Sequence, residues 1–183
     1  MDFNTTQHQL FHSFCIAPKD RFDGQNNNEE IILKLRAHPI TQVFWILNSF
    51  FLLLILIVMD IFLVSILNFS QIVFVNVLCL SWISFYLLSN FSHWYYNVGI
   101  ITNQRIIDID FFQLLHKEVT AVMLNKVEDV TSKSSGFLSS FFDFGNVFIQ
   151  TAGTEANVEF INIPRPTQVA KAINDLINNH KKK

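Results

Sequence analysis

Residues 43–91, VFWILNSFFLLLILIVMDIFLVSILNFSQIVFVNVLCLSWISFYLLSNF, decide the fold class of this chain. Between Thr41 and Phe91 one formal charge occurs, Asp60, where the chain's average density would place about eight. Two apolar runs fill the stretch, 43–67 and 72–91. Each reaches the ~20 residues an α-helix needs to cross a ~30 Å hydrocarbon layer. The tetrad Asn68-Phe69-Ser70-Gln71 between them is short enough to require an antiparallel helical hairpin. Buried helices of a water-soluble domain show an apolar stripe and a polar face, whereas these runs are apolar around most of their circumference. They also begin some 40 residues in, with no basic segment ahead, unlike a signal peptide. The expectation is a transmembrane hairpin over 41–92.

Aromatic and basic residues gather at one end of that hairpin. Trp45 opens the first run, and Trp94, Tyr95 and Tyr96 follow the second, where an aromatic belt at the membrane interface is expected. Lys34 and Arg36 flank the first helix and Arg105 follows the second, while the connecting turn has no cation. The positive-inside rule then puts both termini in the cytoplasm of a multi-pass cell-membrane protein.

Asp60 stands out. In a helix centred near Ile55 it lies about 7 Å from the midplane, at a 1.5 Å rise per residue. An intramembrane acid is costly and marks a candidate functional site, such as one handling ions or protons. Folding the hairpin back puts Asp60 opposite 76–79, where Asn76 would bond its carboxyl and glue the helices together. A helix slid outward would instead bring Asp60 to the interface. A proton relay needs partners, and the two runs hold no other charge.

The flanks read differently. Residues 1–40 form a polar lead, irregular to 28, with EEIILKLRA (29–37) as a short helix or strand before Pro39. From 93 to 180 the pattern becomes period two. Strands are expected at 95–102, 105–111, 118–124, 128–132, 146–151 and 157–163, with Gly153 in the last turn. On 105–111, Ile107, Ile109 and Phe111 share one face and Asp108 and Asp110 the other. A helix follows over 166–179, opened by Pro166, with Val169, Ile173, Leu176 and Ile177 as its packing stripe. Lys181, Lys182 and Lys183 end the chain as a basic tail. The fold class is α+β: the hairpin, then a small antiparallel barrel or sandwich capped by a C-terminal helix.

Five stretches together resemble the second class of bacterial pleckstrin-homology-like (PH-like) membrane proteins. They are FDGQNNNEEIILKLRAHPI (22–40), ITNQRIIDID (101–110), LNKVEDVTSKSSGF (124–137), FGNVFIQTAG (144–153) and INIPRP (161–166). The resemblance implies a strongly bent seven-stranded β-barrel closed by a C-terminal helix, and no enzymatic activity is attached to that fold. It does not imply phosphoinositide binding. PH domains that hold inositol phosphates gather Lys and Arg at the first hairpin loop, whereas 102–105 offers Arg105 alone.

Composition narrows the chemistry. Of 183 residues half are hydrophobic and 15% are charged, Phe occurs 20 times and the net charge is −2. That excludes disorder and a disulfide miniprotein, and provides no basic field for nucleic acid. No catalytic motif, metal site or cofactor fingerprint is found. Glycine occurs five times and forms no phosphate loop, and Cys15 and Cys79 do not make a CxxC. His8 and His12 have i, i+4 spacing without a third ligand, while His38 and His93 read as interfacial side chains. The segment 136–145, GFLSSFFDFG, carries Phe137, Leu138, Phe141, Phe142 and Phe144. Folded inward it is a plug filling the barrel, the preferred reading; exposed, it would insert among lipid headgroups or dock a partner. The expected function is a non-catalytic, membrane-anchored scaffold or interaction module, with the bilayer and a membrane protein or second copy as partners. The alternatives are a small transporter or channel component centred on Asp60, and a lipid-binding module using the lysine tail.

Overall fold

The structure is a computed structural model that describes residues 13–18, 21–22, 24–112, 116–152 and 157–181, with backbone alone for Phe112, His116 and Lys181. His8, His12, Gly153, Lys182 and Lys183 lie outside the described residues. Two long antiparallel helices form one end: α1 (Val43–Leu63), entered through a 3-10 turn at Pro39–Gln42, and α2 (Phe69–Tyr96). Their large apolar side chains point outward. Phe50, Ile57 and Ile61 on α1 and Phe74 and Trp82 on α2 are all more than half exposed. Both helices are long and apolar enough to cross a membrane.

The helix ends differ from expectation for local reasons. α1 stops at Leu63, because the N–H groups of Ser65 and Ile66 turn to the carbonyls of Phe62 and Leu63. Asn68 and Gln71 form a capping box, so the expected turn tetrad instead starts α2. At its other end α2 continues through Trp94, Tyr95 and Tyr96. Helical continuity overrides their strand propensity, and the next strand begins at Val98.

The remainder is two antiparallel sheets. The first runs in the order β1 (Phe14–Ile16), β2 (Ile31–Leu35), β3 (Val98–Thr102), β4 (Arg105–Phe112), β5 (His116–Met123). The second is β6 (Val127–Lys133), β7 (Phe144–Thr151), β8 (Val158–Pro164). Among the described residues no ladder joins the two, so the expected closed barrel is not formed. A 3-10 turn at Leu124–Lys126 carries the chain from one sheet to the other, and they close face to face over a shared core. Leu35, Ile101, Ile106, Val147 and Ile149 fill it, and α4 (Pro166–Lys181) covers it with Val169, Ile173 and Ile177. At Gly99 the sheets nearly touch, and a Cβ there would lie 2.5 Å from the Phe160 ring.

The division at residue 40 also needs correction. β1 and β2 precede the hairpin yet belong to the sheet that follows it: Ile31 pairs with Thr102 and Leu35 with Gly99. Buried Leu33 and Leu35 supply one side of the shared core, and Ile31, beyond a register shift, joins Val98, Ile100 and Ile107 in a second cluster, so the folded unit is assembled from both flanks. The registers put Leu35, Val98, Lys133, Phe144 and Pro164 at the end facing the hairpin, and Ile31, Thr102 and Val127 at the far end.

Candidate functional site

Where the hairpin meets the sheets, side chains from four elements interlock. The Trp94 indole N–H donates to the Ala37 carbonyl at 2.9 Å, pinning α2 to the end of β2. Asn97 Oδ1 accepts the Phe111 N–H at 2.7 Å, and His93 Nδ1 lies 2.7 Å from the Phe111 carbonyl oxygen. The His38 N–H donates to the Asn162 carbonyl at 2.7 Å, and its ring stacks on Phe144 at 5.6 Å. Arg36 lies over the Tyr95 ring at 4.6 Å. A cavity of about 320 Å³ opens inside this joint, walled by Trp45, Asn90, Asp108, Asp110, Glu159 and Phe160 among others.

The cavity is acidic. Asp108 shares a β4 face with buried Ile106 and is turned inward. Burial, with the neighbouring Asp110 charge adding to it, pushes its carboxyl up to about 7, against an opposing hydrogen bond from the Ile109 N–H. Asp110 is raised too, by burial and then by Glu118 opposite it on β5, with His93 pulling the other way. The strand pattern put both aspartates on the face opposite Ile107 and Ile109, and that face is covered too: β4 buries Ile106 on one side and Ile107 on the other. Around the cavity the chemistry is that of a protonatable carboxyl in a crowded pocket. Among the described residues no three His, Cys, Asp or Glu side chains gather as a metal site.

At the far end the electrostatics are opposite. Glu29 is almost fully buried and receives Arg105 at 2.9 Å through Nε and again through Nη2, plus the Thr102 hydroxyl at 2.9 Å. Burial pushes Glu29 up, but Arg105, Asn26 and Thr102 outweigh it and hold it below its ordinary value. Arg105, read from sequence as a flanking cation, is therefore committed to locking the chain ahead of β2 onto β4.

The other sequence-derived residues divide. The Asn76 amide donates to Asp60 Oδ1 at 2.8 Å and also to the Ile72 carbonyl at 3.1 Å, so the two polar groups do meet. Trp45 donates to Gln42 Oε1 at 2.6 Å, and Tyr96 is about half exposed against Phe111. Trp94 is buried in the joint, not displayed in a belt, because its N–H has the Ala37 carbonyl to satisfy. Lys34 sits within β2. The 136–145 segment is not a plug. It contains a short helix, α3 (Phe137–Phe142), whose Phe137 and Phe141 are 82% and 72% exposed. Branched aliphatics from both sheets and α4 already fill the core, leaving no interior space for it. Only Phe144, half-buried against His38, turns back.

No family model matches the chain, and no curated protein matches it. One similar solved structure is a crystal structure of a DUF1696 family protein with a pleckstrin-homology domain from Shewanella loihica PV-4. It is 19% identical, covers 45% of this chain and 68% of its own, and superposes with a TM-score of 0.33.

Proposed function

We propose that this chain is a non-catalytic interaction module with a PH-like fold, anchored in the cell membrane by its helical hairpin. The supporting observation is the placement of the hairpin. Two antiparallel helices with outward apolar side chains leave the same end of one folded unit, and that unit takes strands from both flanks. Such a unit lies on one side of a bilayer, with the termini beside it, and the cation bias of the sequence favours the cytoplasmic side. Outward Ile and Phe side chains in this number would be unstable in water, and lipid is the solvent that accepts them.

An interaction role rests on the free edges. β5, eight residues long, ends the five-strand order, and an exposed edge of that length invites strand addition by a membrane-held partner. Tethering raises the effective concentration of such partners. The Asp60–Asn76 bond favours a structural role for the intramembrane acid over transport, since the carboxyl is already engaged. Alkaline carbonate washing of membranes carrying the full chain tests the anchor: the chain is expected to stay in the pellet, and release into the supernatant contradicts it.

A further inference from the structure

α3 is built inside out. Its one buried side chain is Ser139, whose hydroxyl donates to the Gly136 carbonyl at 2.8 Å, while Phe137, Leu138, Phe141 and Phe142 face away from the protein. Spacings of i, i+1, i+4 and i+5 put the four on one stripe. Phe137 and Phe141 stack at 6.2 Å, and Phe141 and Phe142 meet edge to face at 5.0 Å. A helix on a water-facing surface shows the reverse polarity.

The location matters as much as the polarity. α3 lies in the connection from β6 to β7, at the end of the sheets that carries the hairpin. Two residues beyond Phe142, Phe144 stacks on His38, which caps the 3-10 turn leading into α1. The Asp143 carbonyl is held by the Arg165 N–H at 2.8 Å, so the stripe is fixed to the rim from which the helices depart.

We propose that α3 is a third membrane contact, an interfacial foot that enters the headgroup region beside the hairpin and fixes the sheet unit against the bilayer. This rests on the membrane reading above. The occupant is lipid for two reasons. The stripe stands on the rim from which the hairpin departs, and its area is too small for a second copy of the chain. The four side chains expose roughly 450 Å², against ~800 Å² per partner in a stable protein interface. Phe and Leu on a short helix buried ~5–10 Å deep is the composition of an interfacial anchor.

The test labels the full chain in phosphatidylcholine–phosphatidylglycerol vesicles with an environment-sensitive fluorophore on a single cysteine, after Cys15→Ser and Cys79→Ala. Phe141→Cys carries the probe, Phe74→Cys reports the hairpin, and Asn125→Cys reports water at the far end. The expected result is a blue-shifted Phe141-site probe that loses about half its emission to a quencher placed shallowly on the lipid chains. The Phe74 site should respond to a deep quencher and the Asn125 site to neither. A Phe141-site probe as open to aqueous iodide as the Asn125 site, with the Phe74 site still quenched, overturns the foot and leaves the hairpin standing. Loss of quenching at Phe74 as well overturns both. A disulfide joining two copies at position 141 within the membrane also overturns it, by identifying the occupant as protein.

Discussion

The two ends of the sheet unit bury carboxyl groups in opposite ways. At the far end Glu29 meets Arg105, Thr102 and a backbone N–H, and the ionised form wins despite burial. At the hairpin end Asp108 meets Asp110, with Glu118 close enough to add its charge, and the neutral form wins below about pH 7. Burial is common to both, and the neighbour sets the sign. The far end is thus a fixed lock, while the joint beside the hairpin carries a charge that responds to pH.

The largest effect should come from breaking the lock. Arg105→Leu leaves Glu29 buried without its cation and should cost about 3 kcal/mol, read as a loss of denaturation midpoint in detergent. Glu29→Gln with Arg105→Leu should recover part of that loss, because no buried charge remains; no recovery would mean the pair matters for packing alone.

The joint should show the opposite pH dependence. A raised carboxyl adds stability that is fully present below its ordinary value near 3.8 and is lost as pH rises through about 7. For Asp108 that loss is on the order of 3 kcal/mol, and Asp108→Asn should flatten the slope between about pH 4 and 7. An unchanged slope in the variant would place the titration elsewhere. Glu29 contributes the reverse: its stabilisation is present above the ordinary glutamate value of 4.5 and fades as pH falls through the depressed one.

Also at the hairpin end, Gly99→Ala tests the seam between the two sheets. The added methyl meets the Phe160 ring and should cost about 2 kcal/mol, with Phe160→Leu restoring part of it. The smallest effect is expected within the hairpin, where Asn76→Leu should weaken helix association by about 1 kcal/mol.

Much of this architecture was legible in the sequence. The charge gap around Asp60 marked two helices, and period-two runs located β4 through β8 closely. The Val169, Ile173 and Ile177 stripe identified α4 and the face it buries. The Asp60–Asn76 contact followed from folding a hairpin of known rise. What escaped depends on distance along the chain. β2 pairs with β3 across the whole hairpin, and no local pattern carries that pairing. The burial of Asp108 escaped because alternation tells which residues share a face, not whether that face is covered. Arg105 read as a flanking cation because Glu29, 76 positions away, carries no local mark of its partner. Phe137 and Phe141 looked like core because aromatic residues usually are, and only the aliphatic filling of the two sheets shows that the interior had no space for them.

Membrane sidedness of the hairpin tip bears most directly on the whole account. With Cys15→Ser and Cys79→Ala as background, Ser70→Cys between the helices and Asn125→Cys at the far end of the sheets are each exposed to a membrane-impermeant maleimide in intact cells. Ser70→Cys should react at once, and Asn125→Cys only after the membrane is opened. Reaction of both positions together from the same side would mean that the helices do not cross the bilayer.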